Sequence, residues 1–192
     1  KDVKERSAMV KFKVKDEDAY FLAWTTTPWT LPSNLGLVVN PEVDYVKIDV
    51  AGTVYYLAEA LVDSVFADTE GERKVLAKLK GQDLEYKEYE PLYDYAVGKL
   101  KKKAFYVMCD SYVTTTDGTG IVHTAPAFGE DDNRVCRKYD MPFIQYVDNK
   151  GQLTKETDWE GVFVKDADGR YEFINPSMAA FAGRAVGEIL GS

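Results

Sequence analysis

A single histidine, His123, occurs in 192 residues, so every site built from two imidazoles is excluded. The two cysteines, Cys109 and Cys136, lie far apart and form no C-x-x-C pair. That removes a zinc ribbon and a disulfide framework; two free thiols fit a reducing compartment, and a cytoplasmic location is expected. Positive charge is in the minority, with Lys plus Arg 24 against Asp plus Glu 32 and a net charge of −8. A general nucleic-acid coat needs net positive faces and is excluded, although a local basic patch is not. No apolar run approaches the length of a membrane span, so no membrane partner is expected. The first residues, KDVKERS, have no apolar stretch behind them and do not read as a signal peptide. There is no G-x-S-x-G elbow, no Walker A loop and no H-E-x-x-H. Gly118-Thr119-Gly120 lacks the third glycine of a dinucleotide fingerprint and follows no βαβ pattern; it reads as a turn before a strand.

What is present is enough to bury a core. Hydrophobic residues make up 45% and charged residues 29% of a chain whose length suits one domain, or at most two small ones. Val10, Phe12 and Val14 alternate with Lys11 and Lys13, the pattern of a half-buried strand. Further strands are expected at 20–27, 35–39, 43–50, 53–57, 74–79, 104–108, 111–115, 120–124 and 143–147, with turns at Asp16-Glu17-Asp18, Asn40-Pro41, Ala51-Gly52 and 149–151. Helical spacing marks 58–67 and 130–139, and Asn175-Pro176 is a cap-and-first-residue signature for a closing helix over 176–190. The stretch 81–95, with four tyrosines around Pro91, reads as irregular. The fold class expected is a strand-rich α/β domain, a closed or nearly closed β-barrel core with peripheral helices. The absence of an initiator methionine and the terminal Gly-Ser lead to the expectation of a piece excised from a larger protein.

Two segments concentrate chemistry-bearing side chains. In the first, Thr25-Thr26-Thr27-Pro28-Trp29-Thr30 through Asn34, proline removes a ladder donor, so a strand ends and the chain turns outward. Thr25 and Thr27 share one face and Thr26 takes the other. Hydroxyls donate and accept, so such a cluster can orient a water or grip a sugar edge; equally, threonine simply favours strands. In the second segment the apolar Ile121-Val122 delivers His123, and Gly129 turns the chain into a helix whose first turn holds Glu130, Asp131 and Asp132. Those acids complement the helix dipole, and one of them could instead bind a substrate ammonium. His123 is either a structural histidine or a ligand contact at the mouth of the barrel. Lysines at 99, 101, 102 and 103 form a small basic patch, a solvated strand edge or a phosphate contact.

WTTTPWTLPSN (24–34), KGQDLEYKEYEPLYDY (80–95) and DGTGIVHTAPAFGEDDNRVC (117–136) together resemble the editing domain, or connective polypeptide 1, of isoleucyl-tRNA synthetases. Valyl- and leucyl-tRNA synthetases, which carry relatives of it, are the alternative. His123 points to the isoleucyl member, and the AFGEDD–RVC form is similar to the eukaryotic cytoplasmic branch. Asn133 departs from that branch, which usually has tyrosine there. The chain after Tyr171 matches less well.

The resemblance implies a single editing domain over 1–192 that hydrolyses Val-tRNA(Ile) at its 3′-terminal adenosine ester, with valyl-adenylate as a further candidate substrate. One methylene is worth only ~1–3 kcal/mol in an apolar pocket, isoleucine against valine being the standard case of that limit, so a second sieve is needed. By the resemblance, His123 and Thr30 form the pocket wall and Asp132 binds the α-ammonium. Thr25, Thr26 and Thr27 hold the terminal adenosine and a water, Trp29 packs beside the adenosine, and Asn34 orients the loop or the ligand. Asp132, Thr25 and Thr26 are thus the expected catalytic set. No cofactor and no metal is expected. The expected partners are the tRNA(Ile) 3′ end and the aminoacylation domain of the same chain, and boron compounds that form adenosine adducts are expected inhibitors. The synthetic activity must lie elsewhere, because neither an H-x-G-H nor a K-M-S-K-S motif occurs. The rivals are a non-catalytic single-stranded nucleic-acid-binding barrel that stacks bases on Trp24, Trp29 or tyrosines, and a metal hydrolase using His123, Asp131 and Asp132.

Overall fold

The computed structural model describes residues 7–162. Its strands are β1 (Ala8–Lys13), β2 (Tyr20–Thr25), β3 (Gly36–Val39), β4 (Asp44–Val50), β5 (Thr53–Ala58), β6 (Arg73–Lys80), β7 (Tyr106–Cys109) and β8 (Ile121–Thr124), with short helix α1 (Val62–Val65) and helix α2 (Glu130–Lys138). The sheet runs β6-β4-β5-β2-β8-β3-β7, and β1 pairs antiparallel with β2. β2 shares one edge between two partners, Tyr20 and Phe21 pairing with β5 and Trp24 with β8.

β1 and β7 do not pair with each other. The irregular stretch at 86–90 joins them through two single-residue antiparallel bridges, Glu88 to Tyr106 and Tyr89 to Val14. Its backbone hydrogen bonds alternate sides: Tyr89 N–H donates to Phe105 O and Lys15 N–H to Glu88 O, both at 3.0 Å, and Glu90 N–H donates to Lys13 O at 2.8 Å. The ring β1-β2-β8-β3-β7 is thereby completed, and β4, β5 and β6 extend from it as a flap.

Strand alternation fills the ring. Val10, Phe12, Phe21, Ala23, Leu37, Val39, Val107, Ile121 and Tyr89 form one buried cluster. The opposite faces of β3 and β7 present Val38, Tyr106 and Met108 to Val135, Cys136 and Met141, which packs α2 outside the barrel. Each fully buried large side chain such as Phe12 or Phe21 contributes about 1.5–3 kcal/mol by leaving water. Turn chemistry fixes the register: Ala51 and Gly52 both take positive φ (50° and 86°), as the tight β4–β5 hairpin demands. Gly118 and Gly120 also lie at positive φ (74° and 73°), which makes Gly118-Thr119-Gly120 the turn into β8. A Cβ on Gly120 would come within 2.4 Å of the Ala58 Cβ.

Four expected elements differ. No strand forms at 111–115. There the Asp110 carboxylate accepts the Tyr112 N–H at 3.2 Å and both arms of Arg134 at 2.8 and 3.0 Å, and this side-chain turn bends the chain out of the sheet. At 143–147 only Val147 pairs, with Leu153, and Phe143 is 60% exposed; the alternating pattern finds no strand to lie against. The helix expected over 58–67 contracts to α1 after a 3-10 turn, Glu59–Leu61, because Ala58 is held in the β4–β5 ladder opposite Tyr45. β2 stops at Thr25, and Pro28–Ser33 forms a 3-10 turn. The basic patch lies in a loop rather than along a strand, where Lys102 pairs with Asp140 at 2.5 Å and Lys103 pairs with Glu88. The helix expected over 176–190 falls outside the described residues.

Candidate functional site

Trp24 pairs with Val122 in the parallel β2–β8 ladder, so Thr25 and His123 are lateral neighbours at the same end of the ring. Alternation turns both inward, below the 3-10 turn that brings Thr30 over them. Thr25 Oγ1 accepts the Thr27 N–H at 3.0 Å, a side-chain turn that redirects the backbone ahead of Pro28, and lies 3.3 Å from Thr27 Oγ1.

The buried polar groups form one chain with a single consistent direction. Thr30 Oγ1 donates to Thr27 O at 2.8 Å, so it accepts from His123 Nε2, 2.7 Å away. The imidazole therefore carries its proton on Nε2. Its Nδ1 accepts from Asn34 Nδ2 at 3.3 Å, and the same amide donates to Gly36 O at 2.9 Å. Asn34 Oδ1 in turn accepts the Tyr89 hydroxyl proton at 2.6 Å. Both ring nitrogens of His123 are thus occupied, one as donor and one as acceptor, which leaves no lone pair to take a proton from water. In this arrangement His123 is not placed as a general base.

Burial pushes the His123 pKa down from 6.5 to about 4, so the ring is neutral at neutral pH. The unfolded chain takes up a proton near 6.5 that the folded chain refuses until about 4. The stabilising contribution is complete above pH 6.5 and disappears as pH falls towards 4, a loss of up to about 3 kcal/mol. Urea unfolding between pH 7 and 4 should show this decline, and a His123→Gln protein should lack that part of it.

Asp132 occupies the first turn of α2. Its Oδ2 accepts the Ala125 N–H at 2.9 Å, which ties the helix start to the chain two residues beyond His123. Burial raises its pKa, the Ala125 hydrogen bond acts against that, and the neighbouring Asp131 carboxylate adds to the rise. Asp131 and Glu130 are exposed, and Asp131 is engaged by Arg134 at 3.0 Å. Asn133, the departure from the resembling branch, donates to Pro126 O at 3.0 Å and secures the intervening loop.

Thr25, Thr27, Thr30, Asn34 and His123 are therefore brought together, while Asp132 is joined to the same strand end only through Ala125. Thr26 is half-buried on the other side of the strand end, and among the described residues no hydrogen bond links it to the chain of polar groups. Trp29 packs against the small cluster of Val147 and Leu153. Trp24 faces out of the barrel into a cleft of about 180 Å³ also lined by Tyr112, Thr116 and Asp117. Among the described residues, no group of three or more His, Cys, Asp or Glu side chains could hold a metal ion. The residue that sequence reasoning missed is Tyr89: it lies in the stretch read as irregular, where no periodicity marks an inward-facing position.

No protein-family model matches the chain. It is 54% identical over 184 residues to an isoleucine-tRNA ligase of Clostridium novyi, covering 94% of this chain and 17% of that protein. It is 44% identical over 178 residues to the cytoplasmic isoleucine-tRNA ligase of Saccharomyces cerevisiae and 45% identical over 177 residues to that of Mus musculus, in each case over 88% of this chain and 17% and 14% of theirs. Bacterial and eukaryotic cytoplasmic proteins are thus both among its relatives, and the chain spans about a sixth of their length or less. In structure it resembles the editing domains of the cytosolic leucyl-tRNA synthetases of P. falciparum (TM-score 0.56, 14% identity, covering 70% of this chain and 67% of that one) and P. knowlesi (TM-score 0.56, 17% identity, 70% and 62%). At those identities the likeness is one of fold. No helix among the described residues is long and apolar enough to cross a membrane.

Proposed function

Because the chain belongs to the isoleucine-tRNA ligase family, we propose that residues 1–192 are the editing domain of such a cytoplasmic enzyme and that it hydrolyses Val-tRNA(Ile). The observation that carries this reading is the neutral His123 held at both nitrogens beside the threonine cluster, a rigid wall where a second sieve needs one. The tRNA 3′ end enters from the aminoacylation domain of the same chain. Asp132 fixes the α-ammonium of the aminoacyl group, and an arriving cation lowers the carboxyl pKa that burial has raised. Thr25 and Thr27, which lie together, hold the terminal ribose and a water. That water adds to the ester carbonyl, the bond to the ribose oxygen breaks, and valine leaves as its carboxylate. A ribose hydroxyl relays the proton, since no side chain is placed as a strong base. Catalysis then rests on positioning and on stabilising the developing charge. Valyl-adenylate is a second substrate for the same pocket.

The deciding experiment is deacylation of Val-tRNA(Ile) and Ile-tRNA(Ile) by the chain and by the intact synthetase. Valine release with isoleucine retained supports the reading. Generic single-strand binding without turnover replaces it with the non-catalytic barrel.

A site that holds the ribose and an oriented water also accommodates boron. A boron compound can bond both oxygens of the cis-diol and form a tetrahedral centre where the ester carbonyl would become tetrahedral, against Thr25–Thr27 and Asp132. Binding should then depend on the diol. Isothermal titration should show uptake of the compound with AMP and none with 2′-deoxy-AMP; equal heats from both would mean that the diol is not engaged.

A further inference from the structure

We propose that Tyr112 is a further specificity-determining residue of this site: its ring is the wall that the aminoacyl side chain meets once Asp132 holds the α-ammonium. The proposal rests on the editing reading and deepens it, by assigning the side of the site that faces α2.

The geometry starts from the helix. Asp132, Val135 and Cys136 are spaced i, i+3 and i+4 along α2, so they share one face of it. Val135 and Cys136 are buried against the outer side of β3 and β7, and Tyr112 and Val122 pack against the same cluster. Tyr112 therefore lies under the face of α2 that carries Asp132. It arrives there because the turn at Asp110 takes the backbone out of the sheet, the Asp110 carboxylate accepting the Tyr112 N–H at 3.2 Å. The Arg134 guanidinium lies over the ring, 6.0 Å from its centroid, and is itself held by Asp110 at 2.8 and 3.0 Å.

Val122 and Thr124 point to the outer side of β8, away from His123. The Tyr112 hydroxyl is buried in this packing beside the Thr124 hydroxyl. Burial raises its pKa, the Asp132 charge adds to the rise and the Thr124 hydroxyl acts against it. What Tyr112 presents to the cleft of about 180 Å³ is its ring, beside the apolar Trp24, Val113, Ile121 and Val122. One end of this side chain thus lies in the surroundings of Asp132 and its flank borders the cleft.

An α-ammonium and the side chain that accompanies it leave the same carbon atom. Fixing the first against Asp132 places the second near Tyr112, with the cleft as the space open to it. A ring held between Arg134 and the α2 cluster cannot give way to a longer branch, and overfilling a packed wall is costly. His123 bounds the same strand end from within the ring.

The test is kcat/KM for Val-tRNA(Ile) and Ile-tRNA(Ile) in the intact synthetase carrying Tyr112→Leu or Tyr112→Phe. Tyr112→Leu keeps an apolar side chain against Val135 and shortens the wall. The isoleucine-to-valine ratio should rise about tenfold, the worth of one methylene in an apolar pocket. Tyr112→Met, flexible where the ring is rigid, is a second test and should relax selectivity in the same direction. Tyr112→Phe keeps the ring and should stay within about twofold of the wild-type ratio. A merely structural role would lower both rates together and leave the ratio unmoved. An unchanged ratio in folded Tyr112→Leu or Tyr112→Met overturns the proposal, while valine clearance by the wild type keeps the editing reading. Tyr112→Phe as relaxed as Tyr112→Leu overturns it as well, since the hydroxyl and not the ring would then set selectivity. A wild type that hydrolyses neither charged tRNA overturns the editing reading and the proposal with it.

Discussion

Asp132→Ala is expected to abolish deacylation of Val-tRNA(Ile), with kcat/KM down by about a hundredfold or more, the scale seen when a charged group that positions substrate in a dry site is removed. The barrel should stay folded. Asp132 is tied to the barrel by one hydrogen bond, from Ala125 N–H, and the loss of that acceptor costs roughly 1–2 kcal/mol. Asp132→Asn separates the two roles, because its amide oxygen can still accept from Ala125 while the charge is gone. Its stability should approach the wild type and its activity should not. Asp131→Ala should matter far less: successive helix residues point about 100° apart, and Asp131 is turned to solvent and engaged by Arg134. Single-turnover deacylation beside a thermal melt gives both readouts. Near-wild-type turnover in a folded Asp132→Ala protein removes the carboxylate from the mechanism.

The second large effect is on selectivity. In His123→Ala the wall disappears, and correctly charged Ile-tRNA(Ile), which the wild type should leave intact, should be hydrolysed. A snug pocket sets about 1–3 kcal/mol against one extra methylene, so the isoleucine-to-valine rate ratio should rise by roughly ten- to a hundredfold. Stability should fall too, since Thr30 and Asn34 each lose a buried partner and a cavity opens. Rates for both charged tRNAs decide the matter. Valine clearance that persists with isoleucine still refused would mean that some other side chain forms the sieve.

Much of this was legible in the sequence, and the reasons differ by element. The alternation Val10-Phe12-Val14 and the run Ile121-Val122-His123 declared their faces because each strand has one side in the ring. Glu130 to Lys138 declared a helix through its acidic first turn after Gly129. The expected strand at 111–115 had the composition but not the backbone, because the Asp110 carboxylate competes for it. The segment 143–147 had the alternation but no neighbouring edge, and strand pairing is a property of two segments. At the site, Thr25, Thr30, Asn34 and His123 could be named because they lie in motifs long enough to be specific. The direction of the hydrogen bonds among them could not, since it depends on where the Thr27 and Gly36 carbonyls fall in the folded chain.

The seam of the ring also bears on how the protein responds to temperature. Two single-residue bridges, at Glu88 and Tyr89, and the backbone hydrogen bonds around them join parts of the chain far apart in sequence, whereas β2 and β8 share one registered pair, Trp24 with Val122. The same seam carries the hydroxyl that holds Asn34. Opening along the seam would take that partner from Asn34, so the hydrogen bonds at His123 are expected to loosen with it.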